Sequence, residues 1–328
     1  MDTFQAMVLD KVNGQTKLEI KHLSMDDLPD GEVTIRVAYS SVNFKDGIVS
    51  IQNQLVESYP LVPGIDLAGT IINSTDDRFK TGDEVIVTSY KLGTGHFGGF
   101  SEIARVPADW VVPLPNGLTL KEAMILGTAG FTAALSIQRL EENDLDPSQG
   151  PVLVAGATGG VGSIAVNILA KRGYEVVAST GKTNEEDYLR GLGATQILNR
   201  NEIIDTEQIP MREEKWAGAI DPVGGKTLQY IVSTLKYGGS VATCGLTGGI
   251  EVSTTVLPYI SRGVNWLGID SVECPMQKRL KVWNRLGDDL KPTTFNEELV
   301  NEISLKELPG VLADILEGKV RGRTLVKL

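Results

Sequence analysis

A cluster of glycines in the middle of the chain has the spacing of a phosphate-binding loop. The apolar run VLVA at 152–155 predicts a buried strand, and glycines at 156, 159, 160 and 162 follow it before a helical stretch. Glycines there let the backbone approach a pyrophosphate, and the helix N-terminus offers free N–H groups. A tight turn without ligand is the alternative, because the match to G-x-G-x-x-G is imperfect. The loop residues expected to contact a dinucleotide are Thr158, Gly159, Gly160 and Val161.

The next predicted strand ends in residues that suit a phosphate better than a ribose hydroxyl. An NAD site usually has an acidic residue at this point, and none stands between Val176 and Lys182. Two hydroxyls and a cation are present instead, and a second cation follows the third strand. Charge-assisted hydrogen bonds contribute ~1.5–3 kcal/mol each, so two of them favour NADP by roughly two to four decades. The residues are Ser179, Thr180, Gly181, Lys182 and Arg200. In the alternative reading, Lys182 is a solvated surface charge.

The elements around these residues predict an α/β protein with two domains. The first ~115 residues contain short strands separated by turns, such as the alternating stretch 32–42, which is typical of a compact barrel or sandwich. Helical stretches are predicted at 119–126 and 128–140. From residue 151 onward, apolar strands alternate with helices, which is the pattern of a doubly wound parallel sheet. A helix at 308–316 and a strand at 324–328 complete the chain.

Composition excludes several classes of protein. The 328 residues carry a net charge of −11, which disfavours nucleic acid as a partner. Cys244 and Cys274 are the two cysteines, so a disulfide scaffold and a cysteine-based zinc site are both excluded. No signal peptide and no uninterrupted apolar stretch of ~18 residues is visible. We therefore expect a cytoplasmic protein without a membrane partner.

Six further segments, taken together with the glycine loop, give a specific family resemblance. They are 41–46 (SVNFKD), 63–69 (PGIDLAG), 127–133 (GTAGFTA), 219–225 (AIDPVGG), 244–249 (CGLTGG) and 321–327 (RGRTLVK). With these segments the chain resembles the zinc-free quinone oxidoreductase branch of the medium-chain dehydrogenase/reductase superfamily, and especially its YhdH/YhfP type, which includes acrylyl-CoA reductases. The resemblance covers essentially the whole chain. It implies a GroES-like catalytic domain at 1–118 and 290–328 and a Rossmann NADP-binding domain at 119–289.

The zinc ligands of related alcohol dehydrogenases are absent at the matching positions. Asn43, Ile65 and Gly127 stand where those enzymes have two cysteines and a histidine. Because an alkoxide is poorly stabilised without a Lewis acid, alcohol oxidation is disfavoured. Reduction of a carbon–carbon double bond conjugated to a carbonyl is easier, since the charge spreads over an enolate. We expect no metal.

The resemblance also implies which groups stabilise the enolate oxygen. The Asn43 amide and the Lys45 ammonium are the expected donors, with Asp46 orienting Lys45. In the alternative reading, this segment caps a helix and forms a surface ion pair. His96, in a glycine-rich loop, is either a proton donor or an ordinary loop residue.

Other cofactor contacts follow from family position alone. They are Phe44 beside the nicotinamide, Thr128 and Thr132 at the start of a helix, Gly245 and Leu246 after a strand, and Ile260 and Ser271 in a closing segment. Core packing is the alternative for Ile260. Arg262, Lys278, Arg279 and Lys281 are candidates for a basic rim that binds CoA phosphates. We therefore predict an NADPH-dependent reductase of small enoyl-CoA or enone substrates, forming a homodimer. A quinone reductase and a non-catalytic NADPH-binding sensor are the alternatives.

Overall fold

The chain folds into two units, one rich in antiparallel strands and one built on a parallel sheet. The computed structural model describes residues 3–51, 55–293, 295 and 299–328. The first unit contains Met1–Thr128, Val272–Asp288 and Phe295–Leu328, and the second contains Ala129–Ser271 and Asp289–Thr294.

The strands and helices are numbered in chain order. The strands are β1 (Phe4–Val12), β2 (Gln15–Leu23), β3 (Val33–Val42), β4 (Asp66–Ser74), β5 (Glu84–Thr88), β6 (Ile103–Val106), β7 (Val111–Pro113), β8 (Val152–Val154), β9 (Val176–Thr180), β10 (Gln196–Asn199), β11 (Trp216–Asp221), β12 (Leu235–Thr243), β13 (Asn265–Gly268), β14 (Val300–Ser304) and β15 (Arg323–Lys327). The helices are α1 (Phe44–Ser50), α2 (Leu120–Glu141), α3 (Gly160–Lys171), α4 (Glu186–Gly191), α5 (Gly225–Thr234), α6 (Leu257–Arg262), α7 (Met276–Leu286) and α8 (Leu308–Leu316).

The first unit is organised around β3 and β4. The sheet runs β14-β15-β3-β4-β5-β7, with β6 also paired to β3, while β1 and β2 form a separate antiparallel hairpin. The alternating apolar residues Val33, Ile35 and Val37 of β3 are buried against Leu67 and Ile71 of β4. This alternation is the one that the sequence predicted for the strand, and its buried face forms the core of the unit.

The second unit is a six-stranded parallel sheet, which confirms the predicted α/β class. Its order is β10-β9-β8-β11-β12-β13, so the chain runs outward from β8 in one direction and then from β11 in the other. The switch lies between β8 and β11, where doubly wound folds bind ligands at the carboxyl ends of the strands. The glycine loop follows β8 directly.

Helix α2 changes direction at Gly127. The two predicted helices meet at this residue, whose φ of 52° and ψ of −155° are not helical, so that α2 consists of two helical parts with a break between them. By length and composition, α2 is long and apolar enough to cross a membrane, with a mean hydropathy of 1.2 over 18 residues. No other helix in the described part of the chain passes this test. Most of α2 is buried inside the protein, and that burial accounts for its apolar composition.

Near residue 280, the boundary between the two units in the structure differs from the domain boundary that the sequence predicts. Val272–Asp288 belongs to the first unit, whereas the sequence assigned this segment to the Rossmann domain. The physical reason is Arg279 of α7, which is fully buried and donates to the backbone oxygen and Oγ1 of Thr88 at 3.1 and 2.8 Å. Asp289 pairs instead with Arg172 at 2.9 Å in the second unit.

Candidate functional site

Asp66, at the start of β4, is the centre of a buried hydrogen-bond network in the first unit. Its Oδ2 accepts from Ser41 Oγ at 2.8 Å and from Asn43 Nδ2 at 2.7 Å. Thr128 donates twice, from its backbone N to Oδ2 at 2.8 Å and from Oγ1 to Oδ1 at 2.5 Å. A fully buried carboxylate requires such donors, because an unpaired buried charge costs several kcal/mol. The sequence analysis assigned no role to Asp66 or Ser41.

Gly127 allows this network to close. A Cβ at residue 127 would lie 2.4 Å from Ser41 Oγ and 2.5 Å from Asp66 Oδ2. The helix resumes at Thr128, whose N–H donates to Asp66. Asp66, on β4, therefore accepts two hydrogen bonds from Thr128, the last residue of the first unit in this part of the chain.

The Asn43 side chain is held at both ends of its amide. Nδ2 donates to Asp66, and Oδ1 accepts from Nη1 and Nη2 of Arg323 at 3.4 Å each. The buried Arg323 also donates from Nε to the Ile125 oxygen at 2.8 Å. Arg323 lies in a segment that carried the family resemblance, but nothing in the sequence places it beside Asn43. These contacts position Asn43 firmly, and its donation to a substrate oxygen stays a prediction.

Asp46 does not orient Lys45, contrary to the sequence expectation. The Asp46 carboxylate is fully buried and accepts from the backbone N–H groups of Asn43 at 2.7 Å and Ile65 at 2.9 Å. Burial, with the nearby charge of Asp66, raises the pKa of Asp46 to about 7. Consecutive residues on a helix point about 100° apart, so Lys45 cannot follow Asp46 into the core. Lys45 is half-buried and makes no hydrogen bond or ion pair with any residue that the structure describes.

The two other candidate residues of this unit have different surroundings. His96 places Nδ1 3.1 Å from the Phe97 oxygen and Nε2 3.2 Å from the Asp30 oxygen, and its ring meets the edge of Trp110. Both ring nitrogens thus lie next to backbone carbonyls, which favours an ordinary loop residue over a proton donor. Phe44 is half-buried on the first turn of α1.

The glycine loop of the second unit forms a backbone cradle. Gly156 has a φ of 56°, and a Cβ on Gly162 would lie 2.4 Å from the Gly156 oxygen. Gly159 is the N-cap of α3, and Gly160 and Val161 form its first turn. Helix, loop and strand are packed so closely that only glycine fits at residue 162. The N–H groups at the start of α3 fit the pyrophosphate of a dinucleotide.

The end of β9 gathers the predicted phosphate-binding residues. Thr158 Oγ1 and Thr180 Oγ1 are 3.1 Å apart, and Thr180 Oγ1 accepts from the Lys182 N–H at 3.1 Å. The Ser179 hydroxyl is buried and has no hydrogen-bond partner in the described structure. Arg200 lies directly over Gly181. The structure therefore brings these residues together, and the unpartnered hydroxyl fits an additional polar ligand.

Two further loops meet at the carboxyl ends of β11 and β12. Asp221 accepts from the N–H groups of Val223 at 2.9 Å and Gly224 at 3.0 Å, so it organises its turn, and burial raises its pKa to about 6. A Cβ on Gly245 would lie 2.2 Å from the Pro222 oxygen, so the two loops are in close contact. Leu246, which follows, is exposed.

The remaining predicted cofactor residues are dispersed. Ile260, on α6, is 74% exposed, so the alternative of core packing is wrong. Ser271 is half-buried and follows β13, and Thr132 is buried within α2.

The predicted basic rim is largely absent. Arg279 is buried, and Arg262 donates to the backbone oxygens of Ser233, Leu235 and Arg212. These guanidinium groups bind carbonyls because each lies under neighbouring chain rather than at the surface. Lys278 and Lys281 remain available. Among the described residues, no group of three His, Cys, Asp or Glu side chains could hold a metal ion.

Two protein families match this chain, one in its β-rich part and one in the part that contains the parallel sheet. Residues 29–116 match the alcohol dehydrogenase GroES-like domain, and residues 160–283 match the family described as zinc-binding dehydrogenase. The β-rich unit is therefore GroES-like, as the resemblance implied.

Individual relatives match over nearly the full length. YhfP of Bacillus subtilis, named as a candidate quinone oxidoreductase, is 53% identical over 99% of both chains, and its structure with NAD bound has a TM-score of 0.97. Acrylyl-CoA reductase AcuI of Ruegeria pomeroyi is 51% identical over 98% of both chains. The yhdH oxidoreductase of Salmonella enterica, in complex with NADP, is 44% identical over 99% of both chains, with a TM-score of 0.96.

Proposed function

Because the chain belongs to the quinone oxidoreductase branch of the medium-chain dehydrogenase/reductase superfamily, we propose that this oxidoreductase uses NADPH to reduce the carbon–carbon double bond of small α,β-unsaturated acyl-CoA or enone substrates. The observation that carries the proposal is the half-buried Lys45, whose side chain has no hydrogen-bond or ion-pair partner among the described residues, in a chain that also has a dinucleotide cradle.

The end of β9 supports NADPH over NADH. No carboxylate stands between Val176 and Lys182 to accept from a ribose hydroxyl, and the cations Lys182 and Arg200 flank this segment. The crystallised relatives include one complex with NADP and one with NAD, so the residues of this chain must decide the preference. Lys182 and Arg200 favour the cofactor with the extra phosphate, as does the buried Ser179 hydroxyl, which has no partner among the described residues.

Lys45 supplies the charge that the reaction requires. When bound, NADPH would supply a hydride to the β-carbon of the substrate and become NADP⁺. The resulting enolate would take up a proton at its α-carbon, and until then its negative charge would lie largely on the carbonyl oxygen. The Lys45 ammonium stabilises this oxygen, and no carboxylate in the described part of the chain pairs with it and neutralises its charge. The Asp66 network fixes Asn43 and the start of α1, and so holds the backbone that carries Lys45.

Parallel assays of NADPH oxidation test the substrate class. Acrylyl-CoA, a simple enone and a benzoquinone are compared, with NADH as the control cofactor and a chelator present. Turnover of acrylyl-CoA that is selective for NADPH and insensitive to the chelator supports the proposal. Turnover of the quinone alone indicates a quinone reductase, and tight NADPH binding without turnover of any of the three supports the sensor alternative.

Variants of Lys45 test the role of the ammonium group. Lys45→Met is expected to lower kcat by about 10²-fold, the usual effect of removing one oxyanion donor, and to leave the Kd of NADPH unchanged. Lys306→Met, at an exposed lysine, is the matched control. Equal kcat values for Lys45→Met and wild type would contradict the assignment.

We also propose that the chain forms a homodimer through the second unit. Strand β13 is at the edge of the parallel sheet, and an edge strand has free N–H and C=O groups that can pair with another copy. Several large apolar side chains of this unit are exposed, as expected for a covered surface: Ile250, Val256, Ile260 and Trp266.

A further inference from the structure

Gly181 and Arg200 form an unusual contact at the end of β9. A Cβ on Gly181 would lie 1.7 Å from Nε, 2.0 Å from Nη2 and 2.1 Å from Cζ of Arg200. The space that any other side chain would need at residue 181 is thus filled by the guanidinium group. Both residues are exposed, so this contact is at the surface and not in the core.

The backbone conformation at residue 181 does not require a glycine. Gly181 is not among the glycines with a positive φ, so alanine could adopt its backbone geometry without strain. What glycine provides at this position is space for the Nε and Nη2 side of Arg200.

Arg200 has no partner that would hold it there. Its side chain makes no hydrogen bond or ion pair within the described structure, although its Nε and Nη2 atoms lie over Gly181. A guanidinium group has paired N–H donors that suit a phosphate group. The buried hydroxyl of Ser179, which has no partner among the described residues, lies two residues before Gly181 in β9.

We propose that Gly181 is a specificity-determining residue, which provides the space that places Arg200 to bind the 2′-phosphate of NADPH. The inference rests on the proposed use of NADPH and extends it to the cause of the preference. Gly181 acts through Arg200 and is a positioning residue.

Cofactor titrations without substrate test this role. The Kd values of NADPH and NADH are measured by calorimetry for wild type, Gly181→Ala, Arg200→Gln and the double variant. Arg200→Gln is expected to weaken NADPH binding by about 10- to 100-fold, the loss of one charge-assisted contact, and to change NADH binding by less than about threefold. Gly181→Ala is expected to have a similar effect, because the added methyl group displaces the guanidinium.

The double variant distinguishes positioning from an independent effect. If Gly181 acts through Arg200, the double variant binds NADPH no more weakly than Arg200→Gln alone. The control is Gly310→Ala, a glycine with ordinary φ and no atom within 4 Å of its Cβ position, which should leave all Kd values unchanged. Additive effects, or equal weakening of both cofactors by Gly181→Ala, would overturn the proposal.

The same titrations separate this inference from the proposed function. Equal wild-type affinities for NADPH and NADH would overturn the cofactor preference and the role of Gly181 with it. A wild-type preference that Gly181→Ala leaves intact would overturn the role of Gly181 alone. The identity of the reduced substrate does not enter the measurement.

Discussion

Replacing Asp46 with Asn is expected to change how the stability of the protein depends on pH. The Asp46 carboxyl group is fully buried, accepts from two backbone N–H groups and lies near the charge of Asp66. Its pKa is about 7 in the folded protein, against 3.8 for an unperturbed group. The folded state therefore holds this proton more tightly than the unfolded state does.

The sign and the size of the effect follow from that difference. Below pH 3.8 the carboxyl is protonated in both states and has no ionisation cost. As the pH rises toward 7, the unfolded state gains from losing the proton while the folded state retains it, so stability falls. A shift of about three pKa units at 1.36 kcal/mol each corresponds to about 4 kcal/mol of unfolding free energy lost between pH 4 and pH 8.

Urea unfolding of wild type and Asp46→Asn at half-unit steps from pH 4 to pH 8.5 measures this loss. Other groups titrate in both proteins, so the difference between the two stability curves isolates residue 46. The variant should gain up to about 4 kcal/mol relative to wild type across the range, with most of the change complete by pH 7. A difference curve that varies by less than about 1 kcal/mol would refute the reasoning, because one pKa unit corresponds to 1.36 kcal/mol.

Three further changes test other parts of the structure. Gly162→Ala should weaken cofactor binding by more than about tenfold and lower the Tm, because its Cβ would lie 2.4 Å from the Gly156 oxygen. Gly159→Ala should have a smaller effect, because its Cβ would lie 3.3 Å from the same oxygen. Equal cofactor Kd values for the two variants would contradict this prediction. Arg279→Met should lower the unfolding free energy by about 2–4 kcal/mol in urea titrations, because the Thr88 and Val272 oxygens lose their buried donor. A loss below about 0.5 kcal/mol would contradict the structural role of Arg279. Trp266→Glu should shift the protein to monomers in analytical ultracentrifugation, and an unchanged dimer would exclude the β13 edge.

The parallel sheet and the cofactor cradle could be predicted from the sequence because their signals are local. An apolar strand, a glycine loop and a helix are consecutive in the chain, so the strand–loop–helix geometry around Gly159 can be predicted from neighbouring residues. The break in α2 was also visible, since glycine at residue 127 separates two helical stretches.

The buried network could not be predicted, because its members meet only in the folded sheet. Asp66 and Arg323 lie in segments that the resemblance identified, but their shared contact with Asn43 depends on the order β15-β3-β4. The position of Val272–Asp288 was missed for the same reason. From the sequence alone, an arginine such as Arg279 is expected at the surface, because its contact with Thr88 of β5 is visible only in the folded structure.

The Asp66 network also bears on how this fold could acquire a metal ion by mutation. A cysteine at residue 127 would place its Cβ 2.4 Å from Ser41 Oγ and 2.5 Å from Asp66 Oδ2, on a backbone whose φ of 52° disfavours a side chain. A cysteine at residue 43 would remove the amide that donates to Asp66. Each of these two steps toward the ligand set of the zinc enzymes therefore lowers stability before any ion can bind. In this chain, a metal site that uses residues 43 and 127 would have to be reached through variants less stable than the present protein.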